Sequence, residues 1–383
     1  MRKLLLLLSA WMFVATAVAH DMAMHAKTSL ATSAAFAPDG TLWMIGLNAN
    51  KQLAVRTSAD DGVSWGSERL LDTGTDVVAA DGENRPKIIF GPHDIIVVTY
   101  TQPLAKPYTG EIRMLRSSDG GKNFSAPFTV HHDRQVITHR FESVAFDAQG
   151  DLHVFWIDKR DVISGYDGAA IYQALSSDGG ATFGPDSKIA DHSCECCRIA
   201  LAPDRSGGIA MLWRHVYPGS IRDHAFARVR VASTDTTPPV RATFDNWHLD
   251  ACPHHGPGLA AATSGGFHAV WFGVQQNVAG VRYAHLDANG KQLATPLVVP
   301  DRGAEHAVVA ASGKDVFVVW RSFDGAKTQL TVWSSKDEGR SFVTHVLSST
   351  QGESDHPQLV QKGDRVFAFW RRANDVFVER LGQ

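Results

Sequence analysis

The chain has 383 residues, 37 of them basic and 40 acidic, giving a formal net charge of −3. That near-balance leaves no excess positive field to hold a polyanion, which excludes a nucleic-acid binder. A hydrophobic content of 44% with 10 Trp excludes bulk disorder. Two features stand out: 18 His, many for this length, and 4 Cys that all fall between positions 194 and 252.

The first residues read as an address. Arg2 and Lys3 open an apolar run from Leu4 to Val18, closed by the small residues Ala17, Val18 and Ala19. This is the pattern of a cleavable signal peptide over residues 1–19. The remainder, 20–383, has no apolar stretch near the roughly 20 residues a spanning helix needs, so no transmembrane anchor is expected. The expected location is the periplasm or beyond, where thiols can oxidise. Cleavage after Ala19 would expose His20, Met22, Met24 and His25, which are either soft-metal ligands or a frayed polar tail.

Along the rest of the chain one unit recurs. Short apolar runs opened by a turn end in Trp156, Trp213, Trp271, Trp320 and Trp370, with Tyr100 and Gly46 in the same slot earlier. By subtraction the slots lie 54, 56, 57, 58, 49 and 50 residues apart. A period near 50 filled by short strands predicts an all-β propeller, and seven copies predict seven blades. Each copy reads as four antiparallel strands, A to D, with the slot in B. The last copy has room for a C strand but no D. The stretch before Ala31 is expected to supply that outer strand and close the ring.

A second motif sits at the C–D turn. Ser58 to Trp65, Ser117 to Phe124, Ser176 to Phe183 and Ser335 to Phe342 share Ser-x-Asp-x-Gly followed by an aromatic. The Asp carboxylate can accept amides within the turn, and the Gly can take a positive φ. Asp287 to Gly290 and Ser233 to Asp235 look like decayed copies. The motif resembles the Asp-box, or BNR, repeat of the sialidase-like propellers, and the resemblance spans the whole chain after the leader. It implies structural roles for Asp60, Asp119, Asp178 and Asp337. Sialidases have six blades, so a six-bladed ring is the alternative.

The resemblance also raises sialidase activity, or hydrolysis of other acidic sugars. Sialidases hold the substrate carboxylate with three arginines and use a Tyr–Glu pair with an Asp acid/base. Arg214, Arg321 and Arg371 each follow a slot Trp, and Arg85, Arg140 and Arg198 precede A strands. With Glu142 and Asp158 they are the catalytic candidates. Against this, the family's opening Arg-Ile-Pro is missing, and the last Tyr is Tyr283, too early for the family's nucleophile. The competing expectation is that the Arg after Trp is a repeated salt-bridge position.

Topology brings other residues together. The D–A and B–C connections share one face, and A is innermost, so residues just before each A strand converge on the channel mouth. These segments carry His139, His192, Cys194, Cys196, Cys197, Cys252, His254, His255, His306 and His356. Thiolate with imidazole suits copper first and zinc second. The expected metal ligands are Cys194, Cys196, Cys197, Cys252, His254, His255, His306 and His356. The alternative is a disulfide linking Cys252 to one of the other three, although adjacent Cys196 and Cys197 on an extended segment would face opposite ways. His153, His268, His285, His93, His131, His132 and His345 are expected to be structural or surface groups, and His215 and His224 solvated loop residues.

Three readings follow. The first is an exported propeller binding a transition metal for metal handling or metal-dependent chemistry. The second is a glycoside hydrolase. The third is a non-catalytic glycan- or protein-binding propeller with disulfides. In each the partner meets the channel mouth, and the chain is expected to be a monomer.

Overall fold

The computed structural model describes residues 30–161 and 168–382. The leader, its cleavage point, the His20 to His25 segment and the strand expected to precede Ala31 lie outside the described residues. The described chain forms seven antiparallel sheets in strict chain order, with no strand exchanged between them. Blade 1 runs from Ser33 to Leu70, blade 2 from Lys87 to Thr129 and blade 3 from His139 to Ser193. Blade 4 spans Ala200 to Arg241, blade 5 Gly258 to Val298, blade 6 Glu305 to Thr350 and blade 7 Gln358 to Arg380. Six blades have four strands, and blade 7 has three among the described residues. The ring is a seven-bladed β-propeller, and the six-bladed alternative is set aside. Among the described residues no helix is long and apolar enough to cross a membrane.

Ring closure is visible at the innermost strands, which contact each other from blade to blade all the way round, blade 7 to blade 1 included. At that last seam the Thr32 amide donates to Asp355 Oδ2 at 2.8 Å, and the Ala34 amide to Gln358 Oε1 at 3.1 Å. The apolar core lies between blades. One cluster joins Phe155 and Ile157 of blade 3 to Met211 and Trp213 of blade 4, and another joins Val270 and Tyr283 of blade 5 to Val318 and Trp320 of blade 6.

The slot aromatics are buried because each B strand is covered on both faces, which is why these runs are apolar throughout. Their polar edges are mostly satisfied: Trp156 donates to Asp158, Trp271 to Asp245 and Trp320 to Asp301 at 2.6–2.8 Å. Tyr100 reaches Asp76 at 2.7 Å in the same way. Blade 4 departs from the rule, since Trp213 Nε1 has no partner.

The four Asp-box turns have one geometry. In the first, Ser58 Oγ donates to Asp60 at 2.7 Å and accepts the Gly62 amide at 2.8 Å, while Asp60 accepts the Ser64 amide at 2.8 Å. Asp119, Asp178 and Asp337 repeat this around Ser117, Ser176 and Ser335. The box aromatic packs against the preceding blade, as Phe124 does in the blade 1–2 cluster. The decayed copies keep fragments: Asp287 accepts the Asn289 and Lys291 amides, and Ser233 accepts the Asp235 amide.

Two outcomes are expected. Replacing Trp370, fully buried between blades 6 and 7, by Ala removes a core aromatic and should cost about 3–5 kcal/mol in urea denaturation. The second concerns acid. The hydroxyl and amide of Ser64 hold Asp60 at about 2, and the amide and side chain of Asn123 do the same for Asp119. Both lie below the ordinary 3.8, so their contribution is complete above that value and is lost as pH falls towards 2. Stability should therefore drop between pH 4 and 2, and less steeply in Asp119→Asn than in the unaltered chain.

Candidate functional site: a charge network with thiol and imidazole groups

The channel mouth is built from the connections that lead into the A strands, and arginine–carboxylate pairs hold it. Arg198, just before blade 4, donates through its side chain to Glu83 Oε1 at 2.5 Å and through its backbone to Oε2 at 2.9 Å. The same guanidinium reaches Pro257 O and Ala307 O, each at 2.8 Å. One side chain thereby ties blade 4 to the segments entering blades 2, 5 and 6. Glu83 is buried and also accepts the Gly256 amide at 3.0 Å. Burial pushes its carboxyl up, but the Arg198 charge, the neighbouring His306 and the Arg198 amide hold it well below the usual carboxylate range. A second pair, Arg85 with Asp355 at 2.8 and 3.1 Å, links blade 2 to blade 7, and Arg85 also donates to Thr32 O of blade 1 at 2.9 Å.

Against this network sit the cysteines. Residues 194–197 form a turn between the last strand of blade 3 and the first of blade 4, fixed by the Cys194 amide on Arg214 O at 2.9 Å. The sulfurs of Cys194, Cys196 and Cys197 form a triangle with edges of 3.7, 3.8 and 3.9 Å. Cys252, on the connection into blade 5, brings its sulfur within 4.8 Å of those of Cys194 and Cys196. All four are free thiols; three are buried and Cys252 is exposed. In this structure no disulfide links Cys252 to the other three, the alternative weighed against metal ligation. The expectation that Cys196 and Cys197 face opposite ways also fails, because the segment turns instead of extending. Hydrogen bonds from Cys196 and Cys197 push the Cys194 thiol well down, with the nearby Arg214 charge adding to the effect. Donation to Cys194 pushes the Cys196 thiol up.

The imidazoles form a separate group. Phe272, His255, His306 and His356 stack in series, with ring centroids 4.4, 4.7 and 3.4 Å apart. His306 Nδ1 lies 3.8 Å from Glu83 Oε1, beyond hydrogen-bond length. One nitrogen each of His306 and His356 and one Glu83 oxygen fall within 4.8 Å of one another. Burial holds His255 down at about 3 and depresses His306 and His356 as well, so all three are neutral at pH 7. His306 has a φ of 52° where the register of the first strand of blade 6 shifts between Glu305 and Val308. His356 lines a cavity of about 360 Å³ with Asp355, Glu305, Glu353 and Arg321. Seven of the eight expected metal ligands thus fall into two sets, the four sulfurs and the three stacked imidazoles. His254 is exposed and stands in neither, and His255 joins the second through its ring contact with His306 and not through the tighter grouping of His306, His356 and Glu83.

Most of the arginines expected to clamp a substrate carboxylate are committed elsewhere, whereas Arg371 has only a carbonyl contact, to Asp375 O at 3.5 Å. Arg214 is fully buried and donates to Arg222 O, His255 O and Phe272 O at 2.8–2.9 Å. Arg321 is paired with Glu305 at 2.9 Å and reaches Ser354 O at 2.7 Å. Arg371 lines a different cavity, beside Met44 and Arg56. Arg140 pairs with Asp81 at 2.6 Å. Glu142 is fully buried among Lys87, Thr99 and Thr101 at 3.2–3.3 Å, and Asp158 is buried against Trp156 and Arg160. Neither carboxylate is open to a substrate. The Arg-as-salt-bridge expectation describes Arg321, while Arg214 instead satisfies carbonyls. His131, His139 and His224 are fully buried and His215 is half-buried; none of these four is a solvated loop or surface group. His153 and His268 are buried in B strands as expected.

Glu83 and Gly256 were not singled out from sequence. A signal existed, since acidic and arginine residues recur together just before A strands, as in Asp81 to Arg85. Which acid meets which arginine across the ring is a three-dimensional fact.

No family model matches the chain, and no curated protein matches it by sequence. Solved structures do match by fold. An ulvan lyase of polysaccharide lyase family 25 superposes with a TM-score of 0.57 at 11% identity, covering 89% of each chain. The polysaccharide lyase Uly1 gives 0.56 at 8% identity over 89% of this chain and 87% of its own. A leech intramolecular trans-sialidase gives 0.53 at 9% identity, over 89% and 83%. The chain has the β-propeller fold that these solved structures share. At these identities the likeness is one of fold, and fold alone does not carry activity.

Removing the carboxylate in Glu83→Ala leaves the Arg198 charge unpaired at the channel mouth and should cost about 3–5 kcal/mol in urea denaturation. Gly256→Ala should lower stability in the same direction, because its Cβ would lie 2.6 Å from Glu83 Oε2 and inside contact distance of Arg198.

Proposed function

We propose that this protein is an exported propeller that binds a soft metal ion through Cys194, Cys196, Cys197 and Cys252, copper(I) in first place and zinc(II) in second. The observation that carries the proposal is the sulfur triangle with edges of 3.7–3.9 Å. A metal–sulfur bond of about 2.3 Å in tetrahedral geometry sets sulfur–sulfur edges of about 3.8 Å. The three buried sulfurs are thus already spaced as ligands of one ion, and Cys252 offers a fourth from the solvent side. An all-sulfur shell ranks copper(I) and zinc above harder ions. Four thiolates close the shell, and a closed shell suits holding or handing over an ion more than Lewis-acid chemistry. Arg214, close enough to lower Cys194, offsets part of the thiolate charge.

A carbohydrate-active role is the second reading, and the fold comparisons favour it. Its relatives in fold act on polysaccharides and sialosides, and the cavity beside His356 has a ligand-sized volume of about 360 Å³. The lining argues against acidic sugars, since its one arginine is already paired by Glu305 and Glu353 adds a further negative charge, Asp355 being paired by Arg85. A neutral sugar meets no such repulsion.

Protein purified under reducing conditions should hold about one equivalent of copper(I) or zinc by elemental analysis. Cys196→Ser/Cys252→Ser should lose it while keeping the urea midpoint of its metal-free parent. Substoichiometric metal in both proteins would overturn the thiolate reading. For the second reading, a fluorogenic sialoside, ulvan and a neutral arabinan are offered between pH 4 and 8. Turnover that vanishes in Arg321→Ala would establish it, and no turnover of any of the three would remove it.

A further inference from the structure

The thiol group does not use the histidine column, and that column has its own unexplained feature. His255, His306 and His356 each bury an Nδ1 that has no hydrogen-bond partner. Buried polar atoms are normally satisfied, and an unpaired one costs about 1–3 kcal/mol. Five other described histidines also bury an unpartnered ring nitrogen, but these three stand in one stack and come from three different blades. Backbone strain adds to it, since His306 takes a left-handed φ of 52° at a strand irregularity, which turns its ring into the stack.

We propose that His255, His306 and His356 form a second metal site, built on imidazole nitrogen and distinct from the thiolate site, that takes a borderline divalent ion such as zinc(II) or copper(II). Neutral imidazoles are the ligands such ions prefer. Glu83 supplies the compensating negative charge beside them. Its oxygens are engaged by Arg198 and the Gly256 amide, so its role is electrostatic, with the nitrogens as ligands. The His306 and His356 rings are nearly parallel, at 13°, so binding requires one of them to rotate about its broad terminal torsion. The cavity that His356 lines is the side from which an ion would arrive. The site is independent of the thiolate reading and stands or falls separately.

Cobalt(II) separates the two sites, because thiolate ligation produces intense sulfur-to-metal charge-transfer absorption and imidazole ligation does not. Titrated into the reduced, metal-free protein, it should bind at about two equivalents, one with the charge-transfer band and one without. In Cys196→Ser/Cys252→Ser the band should disappear while an equivalent without it is kept. In His306→Phe/His356→Phe, which keeps aromatic rings in the stack and so guards against collapse of the column, the equivalent without the band should be lost and the band retained. His306→Gln/His356→Gln, read in parallel, covers the case in which the larger rings do not fit. The proposal is overturned if either folded histidine variant binds as much band-free cobalt as the unaltered protein. It is equally overturned if the unaltered protein binds no cobalt outside the charge-transfer band.

Discussion

The interaction on which the mouth of this propeller depends is the buried pair between Glu83 and Arg198. A ring of blades leaves the connections into its innermost strands with backbone groups that no sheet pairs, and those groups must be satisfied. Arg198 does this for blades 5 and 6 by donating to Pro257 O and Ala307 O, and Glu83 does it for the amides of Arg198 and Gly256. Desolvating both charges is costly, and the pair is tolerable because nearly every polar atom is used. Arg85 and Asp355 repeat the device at the blade 7–1 seam. Arg85, Arg198, Arg214 and Arg321 are consequently structural, which leaves few arginines free to clamp an acidic sugar.

Both candidate ligand groups are hung on that network by single steps along the chain. Cys197 precedes Arg198, and His255 precedes Gly256, whose amide meets Glu83. His306 precedes Ala307, whose carbonyl accepts from Arg198, and His356 follows Asp355, which Arg85 holds. The ligands are thus positioned by residues that are themselves fixed by charge pairing. A chain built this way has little freedom to move one group without the others, which is the rigidity a preformed ligand set needs.

The period near 50 and the Asp-box turns made the fold legible in the sequence, because both are local patterns repeated enough times to exclude chance. Strand alternation then put every Cys and several His at one mouth, and that inference needed only topology. What failed was local conformation and pairing. Cys196 and Cys197 were expected on an extended segment, yet a turn brings their sulfurs to 3.9 Å. Cys and His were expected as one cluster, because spacing along the chain carries no information on which of the converging side chains meet. Glu142 reads as a mouth carboxylate, but the strand begins at His139 and carries it inside, under Lys87. Whether an Arg is free or paired depends on a carboxylate several blades away, which no local pattern reports.

The two ligand groups differ in a way that bears on where any chemistry would reside. Four sulfurs around one ion leave no open coordination position, and only Cys252 among them is exposed, so exchange of an ion would pass through that one residue. The imidazole column has three nitrogens and faces a cavity on its His356 side. Three protein ligands with an open fourth position are the arrangement in which a metal can polarise a bound water or substrate. The carboxylates Glu305, Glu353 and Asp355 around that cavity would favour a cationic or neutral partner over an anionic one.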